Sequence, residues 1–127
     1  MPLKKIYIID DDPIYKLVTQ KLIGKTNLFS EPKEFNNGNE AITYFEATTD
    51  LPDILLLDLE MPEMDGWEFL DEFCKLKKKI DKQSTVYIAS SSIALEDKLK
   101  AQKYECVRDF LSKPINLDKL QKIAEED

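Results

Sequence analysis

Ile54-Leu55-Leu56-Leu57, introduced by Asp53 and closed by Asp58, is the segment that most narrows the choice of fold. An apolar run this short, with no polar alternation, suits a strand covered on both faces. Such strands belong to parallel sheets flanked by helices. The rest of the chain keeps to this plan. Ile6-Tyr7-Ile8-Ile9 is a second β-rich run and stops at Asp10-Asp11-Asp12, and Thr85-Val86-Tyr87-Ile88-Ala89 is a third, stopping at Ser90-Ser91-Ser92. Glu31–Phe35 and Val107–Leu111 are weaker strands. Pro32 in the first and Arg108 and Asp109 in the second suit sheet edges, where a missing N–H or a charge is tolerated.

Helical patterns fill the intervals. Asp12 is an N-cap and Pro13 a first helical residue. Ile14, Leu17, Val18, Lys21 and Leu22 then share one mostly apolar face, so 13–24 is predicted to be an amphipathic helix packed through those positions. Asn36-Asn37-Gly38 is a turn signal before a helix over about 39–48 with Ala41, Ile42, Tyr44 and Phe45. After the loop Glu60–Met64, a helix from Asp65 to Lys79 presents Trp67, Leu70, Phe73, Cys74 and Leu76. Ile93–Tyr104 is a more exposed helix, and Asn116 caps a last one bearing Leu117, Leu120, Ile123 and Ala124. Five strands alternating with five helices make a single doubly wound α/β domain over 1–127, with no room for a separate effector module.

Composition removes several function classes. With 25 Asp+Glu against 18 Lys+Arg, the net charge of −7 opposes binding to nucleic acid or to an anionic membrane. There is no His, so chemistry must rest on carboxylates, hydroxyls and lysines. No apolar stretch approaches membrane-spanning length and the N-terminus lacks a signal-peptide pattern, which points to a soluble, cytoplasmic protein. Cys74 and Cys106 are too far apart in sequence for a metal knuckle or a CxxC pair and are taken as reduced, partly buried thiols.

In a doubly wound sheet the loops at the carboxyl ends of the strands share one edge, and sites lie there. That edge would collect Asp10 and Asp11 from the first strand, Asp58 from the third, Ser90 from the fourth and Lys113 from the fifth. Taken singly, each has an ordinary explanation: a helix cap, a turn, a hydrogen-bonded loop serine, a solvated lysine. Together they form a set suited to Mg²⁺-assisted phosphoryl transfer to a carboxylate. Clustered carboxylates repel one another, a hard divalent cation relieves the repulsion, and all-oxygen donors favour Mg²⁺ over zinc or copper. Lys113 and Ser90 would then hold the remaining phosphoryl oxygens.

Four stretches carry a family resemblance: Ile9-Asp10-Asp11-Asp12-Pro13, Asp58-Leu59-Glu60-Met61-Pro62-Glu63-Met64-Asp65-Gly66, Ala89-Ser90-Ser91 and Ser112-Lys113-Pro114. In these the chain resembles, over residues 4–126, the receiver domains of bacterial two-component response regulators, of the single-domain chemotaxis-regulator type. The resemblance implies a (βα)5, flavodoxin-like sheet of order 2-1-3-4-5. It further implies Asp58 as phospho-acceptor, and Mg²⁺ held by Asp10, Asp11, Asp58 and the backbone carbonyl of Glu60. Lys113 would be the phosphoryl contact, Ser90 and Phe110 the switch pair, and Lys113–Pro114 a cis peptide. A histidine kinase or histidine phosphotransfer protein would be the donor. Output would pass to a downstream protein or a second copy through the fourth helix, fifth strand and fifth helix. Such a protein is a switch rather than an enzyme, assisting only its own phosphorylation and dephosphorylation.

The chain departs from the family at Cys106, where a glycine is common, and at Phe110, which lacks the frequent tyrosine's hydroxyl. Glu60 and Ser92 flank the site at positions that, in the family it resembles, tune dephosphorylation. Three other readings compete with this one. A pseudo-receiver serving as a constitutive interaction module is opposed by the intact acidic set. A haloacid-dehalogenase-like phosphatase is imitated by Asp10 and Asp12, but only one helix follows Lys113, leaving no strand for its further acidic ligands. A flavin binder would need a Ser/Thr/Gly-rich phosphate loop after the first strand, and none is present.

Overall fold

The computed structural model describes residues 3–48, 50–80, 83–91 and 94–126. Their order is β1 (Ile6–Ile9), α1 (Pro13–Thr26), β2 (Lys33–Phe35), α2 (Gly38–Ala47) and β3 (Ile54–Leu57), then α3 (Gly66–Ile80), β4 (Thr85–Ser90), α4 (Leu95–Ala101), β5 (Val107–Ser112) and α5 (Leu117–Glu126). All strands are parallel, in the order β2-β1-β3-β4-β5. The expected doubly wound topology is therefore present, with β2 and β5 at the edges. The side chains of β1 and β3 are buried throughout, because both sheet faces are covered.

Alternation along the strands divides the core in two. Tyr7, Ile9, Leu55, Leu57, Val86 and Ile88 face α2 and α3, packing on Phe45, Phe69, Leu70 and Phe73. Ile6, Ile8, Ile54, Leu56, Tyr87 and Ala89 face the other way, onto Ile23 of α1 and Leu120 and Ile123 of α5. Phe69 was not among the expected apolar positions of α3, yet it is fully buried. The α3 N-terminus is held by a reciprocal cap. Asp65 accepts from the Glu68 N–H at 2.9 Å, and Glu68 accepts from the Asp65 N–H at 3.2 Å.

Helix α1 differs from expectation in its rotation. Ile14, Leu17 and Val18 are exposed, at 72%, 52% and 49%, whereas Lys16, Thr19 and Ile23 are buried. Asp12 caps the helix by accepting from the N–H groups of Ile14 and Tyr15, and Ile23 packs into the core with Ile6, Ile8, Leu120 and Ile123, on the side turned to the sheet. Lys16 buries its aliphatic stem and brings its ammonium to the side-chain oxygen of Asn36, so a charged residue occupies a position that polarity alone assigns to solvent. Helix α4 is shorter than expected, ending at Ala101, and Ile93 lies outside the described residues.

Candidate functional site

The carboxyl ends of β1 and β2, of β3 and β1, and of β5 and β4 are joined by backbone hydrogen bonds just where the polar residues begin. The Asp10 N–H donates to Phe35 O at 3.1 Å, the Asp58 N–H to Ile9 O at 3.0 Å, and the Lys113 N–H to Ser90 O at 2.9 Å. These bonds continue the ladder one residue beyond the strands and bring Asp10, Asp58, Ser90 and Lys113 to one edge. Asp11 follows on the loop leading into α1. Oxygens of Asp10, Asp11 and Asp58 all lie within 4.8 Å of one another. Asp10 is buried, Asp58 half-buried and Asp11 exposed, so the cluster opens to solvent on the Asp11 side.

Asp10 is already committed on both oxygens. One accepts from the Asp12 N–H at 2.9 Å and the other from the Lys113 ammonium at 2.7 Å. Lys113 also stands 3.6 Å from Asp58 Oδ1, and its ammonium lies over the Tyr15 ring, 4.3 Å from the centroid. The face of an aromatic ring attracts a cation, so Tyr15 helps to hold the ammonium between the two carboxylates. Asp58 Oδ1 accepts from the Glu60 N–H at 3.4 Å. Burial pushes the Asp58 carboxyl up to about 6, with the Asp10 charge adding to the rise and Lys113 and the Glu60 N–H opposing it. Without a cation this group keeps its proton well above the ordinary carboxylate range.

The loop after Asp58 is shaped by close packing. A Cβ at Gly66 would stand 2.8 Å from the Leu59 Cα and 2.9 Å from the Asp58 carbonyl oxygen, and the Gly66 N–H donates to Leu59 O at 2.9 Å. The start of α3 thus rests directly on the backbone of Asp58. Glu63 adopts a left-handed conformation (φ 68°), which turns the chain from the Pro62 region back toward α3. Asp11, Glu60, Trp67, Ser90 and, from α4, Asp97 line one open cleft beside the cluster.

Of the residues singled out in the sequence, Asp10, Asp11, Asp58 and Lys113 therefore meet. Ser90 and Glu60 stand on the wall of the adjoining cleft. Phe110 is half-buried on β5, packed against the core face shared with α3. The Lys113–Pro114 bond is cis. Ser92 lies outside the described residues. Sequence reasoning missed Tyr15 and the seat of Gly66. Tyr15 reads as one more helix residue until α1 and β5 are placed side by side, and Gly66 carried only the shared motif as a signal.

The chain is similar to several known proteins. The chain is 34% identical over 114 residues to a protein-glutamate methylesterase/protein-glutamine glutaminase of Treponema denticola, a match that takes in 87% of this chain but only 28% of that protein. It is 29% identical over 119 residues to the chemotaxis protein CheY of Bacillus subtilis, covering 91% of this chain and 90% of that one. A crystal structure of a two-component response regulator from Cytophaga hutchinsonii superposes with a TM-score of 0.89 at 28% identity, covering 99% and 97% of the two chains. Residues 6–125 match the family model of the response regulator receiver domain, and the chain belongs to that family.

Proposed function

We propose that this receiver domain accepts a phosphoryl group on Asp58 from a phosphohistidine of a histidine kinase or histidine phosphotransfer protein. The observation that carries this reading is the meeting of Asp10, Asp11 and Asp58 beside the Lys113 ammonium at the carboxyl edge of the sheet. The donor set is all oxygen and suits Mg²⁺, with Asp11, Asp58 and the Glu60 backbone carbonyl as the groups that would hold it and Asp10 completing the acidic pair. A bound Mg²⁺ supplies positive charge that keeps Asp58 ionised and offsets charge on the phosphoryl oxygens.

The chain's own residues do the rest. The ionised Asp58 oxygen attacks phosphorus as the phosphorus–nitrogen bond breaks, and the electron pair returns to the donor imidazole, which takes up a proton. Lys113, fixed by Asp10 and the Tyr15 ring, neutralises one phosphoryl oxygen, and the Ser90 hydroxyl donates to another. Most of the acceleration comes from this positioning rather than from acid–base work. Drawing Ser90 inward frees space beside Phe110, whose ring turns toward the core and shifts the population of packings on the α4–β5–α5 face. That face then recruits a downstream protein or a second copy. The chain acts as a cytoplasmic switch, and the carboxylate of Glu60 beside the site influences how long the acyl phosphate survives.

The direct test is incubation with acetyl phosphate and Mg²⁺, followed by peptide mapping of the adduct. A single acid-stable, base-labile adduct on Asp58, absent when Mg²⁺ is chelated and absent in Asp58→Asn, is expected. An adduct elsewhere, or none even with a cognate kinase, sinks the reading. Trp67 shares a cleft with Asp11 and Glu60, so its fluorescence follows the Mg²⁺ titration.

A further inference from the structure

Cys74 and Cys106, remote in sequence and unused by the site above, come together near the amino ends of the strands, the sheet edge opposite Asp58. Cys74 is half-buried on α3, and Cys106 is buried in the turn before β5. Both line a cavity of about 290 Å³, whose rim carries Lys77, Lys78 and Lys103. The two residues are neighbours in the same core cluster, Cys106 buried within it and Cys74 packed against it. This contact holds the Cys74 thiol below its ordinary value against the effect of burial, with Lys77 and Lys78 assisting. The same contact, together with burial, pushes Cys106 up. A half-exposed sulfur beside a buried thiol, with lysines on the rim, is the arrangement in which a first cysteine is oxidised and a second resolves it.

The surroundings give such a link something to fasten. The Cys106 carbonyl accepts from the Val86 N–H at 2.8 Å, just where the β4–β5 register slips between Val86 and Tyr87. The turn after α4 leans on α3 through Tyr104, whose hydroxyl donates to Asp71 at 2.9 Å and whose ring stacks on Trp67 at 5.8 Å. Those contacts are reversible, and a covalent bond between the two cysteines would make the attachment permanent while oxidised.

We propose that Cys74 and Cys106 are a peroxide-sensitive pair that closes to an intramolecular disulfide and fastens the turn leading into β5 to α3. The Cys74 thiolate attacks hydrogen peroxide, the O–O bond breaks, and the departing hydroxide takes up the thiol proton to leave as water. Cys74 is then a sulfenic acid. The Cys106 sulfur attacks it, the S–O bond breaks, and the hydroxyl leaves as a second water with the Cys106 proton. Two thiols have lost two electrons and two protons, and one peroxide has become two waters.

The test uses the reduced full chain at low concentration, treated with hydrogen peroxide, then a free-thiol assay and non-reducing peptide mapping. Both thiols should disappear together, with a Cys74–Cys106 crosslinked peptide that reductant reverses. In Cys106→Ser, or Cys106→Ala where the serine variant fails to fold, Cys74 should instead be trapped as a dimedone adduct. In Cys74→Ser, Cys106 should stay reduced at the same dose. Amide exchange over 101–107 should slow on oxidation of the wild type only. Two thiols that stay free, that oxidise independently to sulfinic acids, or that pair between chains in preference to within one would overturn the proposal.

Discussion

At the scale of single residues the governing quantity is the cost of ionising Asp58. Its carboxyl is raised from 3.8 to about 6, chiefly by burial and by the Asp10 charge. In metal-free protein the folded chain therefore binds a proton across that window while the unfolded chain has released it. Stability from this group is present at acid pH and falls as pH rises through about 6, and the full cost is carried above it. Asp58→Asn removes the cost. With solvent screening allowed for, it should raise stability near pH 7.5 by about 1 kcal/mol and flatten the acid limb of the profile. Urea unfolding of both proteins at pH 5 and 7.5 in chelator checks this, and two parallel profiles would contradict it. Tyr15 yields a second prediction. Removing its ring with Tyr15→Leu should slow acetyl phosphate labelling about two- to fivefold, the worth of about 0.5–1 kcal/mol of cation–π attraction, while Tyr15→Phe stays near wild type. Asp10, Asp11, Asp58, Ser90 and Lys113 could be found in the sequence because each closes or follows an apolar run. Tyr15 could not, since its role is a relation between α1 and β5 that no local pattern encodes.

Secondary-structure elements were legible to the extent that burial dominated them. β3 and β4 are apolar on both faces, so the sequence marks them without ambiguity, and their neighbours follow from parallel topology. Helix α1 was misjudged in rotation because its most apolar stripe is its exposed one. Ile23 in the core and the buried stem of Lys16 mark the side that faces the sheet, and a buried lysine does not enter a polarity pattern. This difference can be measured. Ile23→Ala opens a hole between α1 and α5 and should cost about 2–4 kcal/mol. Leu17→Ala, although it removes as large an apolar group, should change stability by less than about 0.5 kcal/mol. Chemical denaturation of the two variants decides the rotation, and equal losses would favour the face predicted from hydropathy. The same reasoning explains why Phe69 escaped notice. It lies one residue before Leu70, and the buried face of α3, which takes in Phe69, Leu70 and Phe73, is wider than the stripe drawn from Trp67.

For the molecule as a whole, three carboxylates crowd one edge of a chain that already carries a net charge of −7. Two effects of added cation must then be separated. General screening weakens all the repulsions a little and depends only on ionic strength. A bound ion acts instead through mass action, because the unfolded chain cannot gather Asp10, Asp11 and Asp58. At a hundredfold excess over its dissociation constant it stabilises by about 2.7 kcal/mol. For a domain of this size that is an upward shift in Tm of roughly 10 °C. Mg²⁺ should therefore raise Tm with a saturating dependence, and NaCl at matched ionic strength should reproduce only a small part of it. Asp11→Asn leaves the net charge nearly unchanged but removes the exposed carboxylate of the cluster. It should abolish most of the Mg²⁺ response and leave the NaCl response intact. A Tm that rises equally in both salts would show that the acidic edge is merely screened. The difference bears on the proposed phosphoryl transfer, since a bound ion would act at Asp58 itself and add to the Lys113 charge that already favours its ionised form.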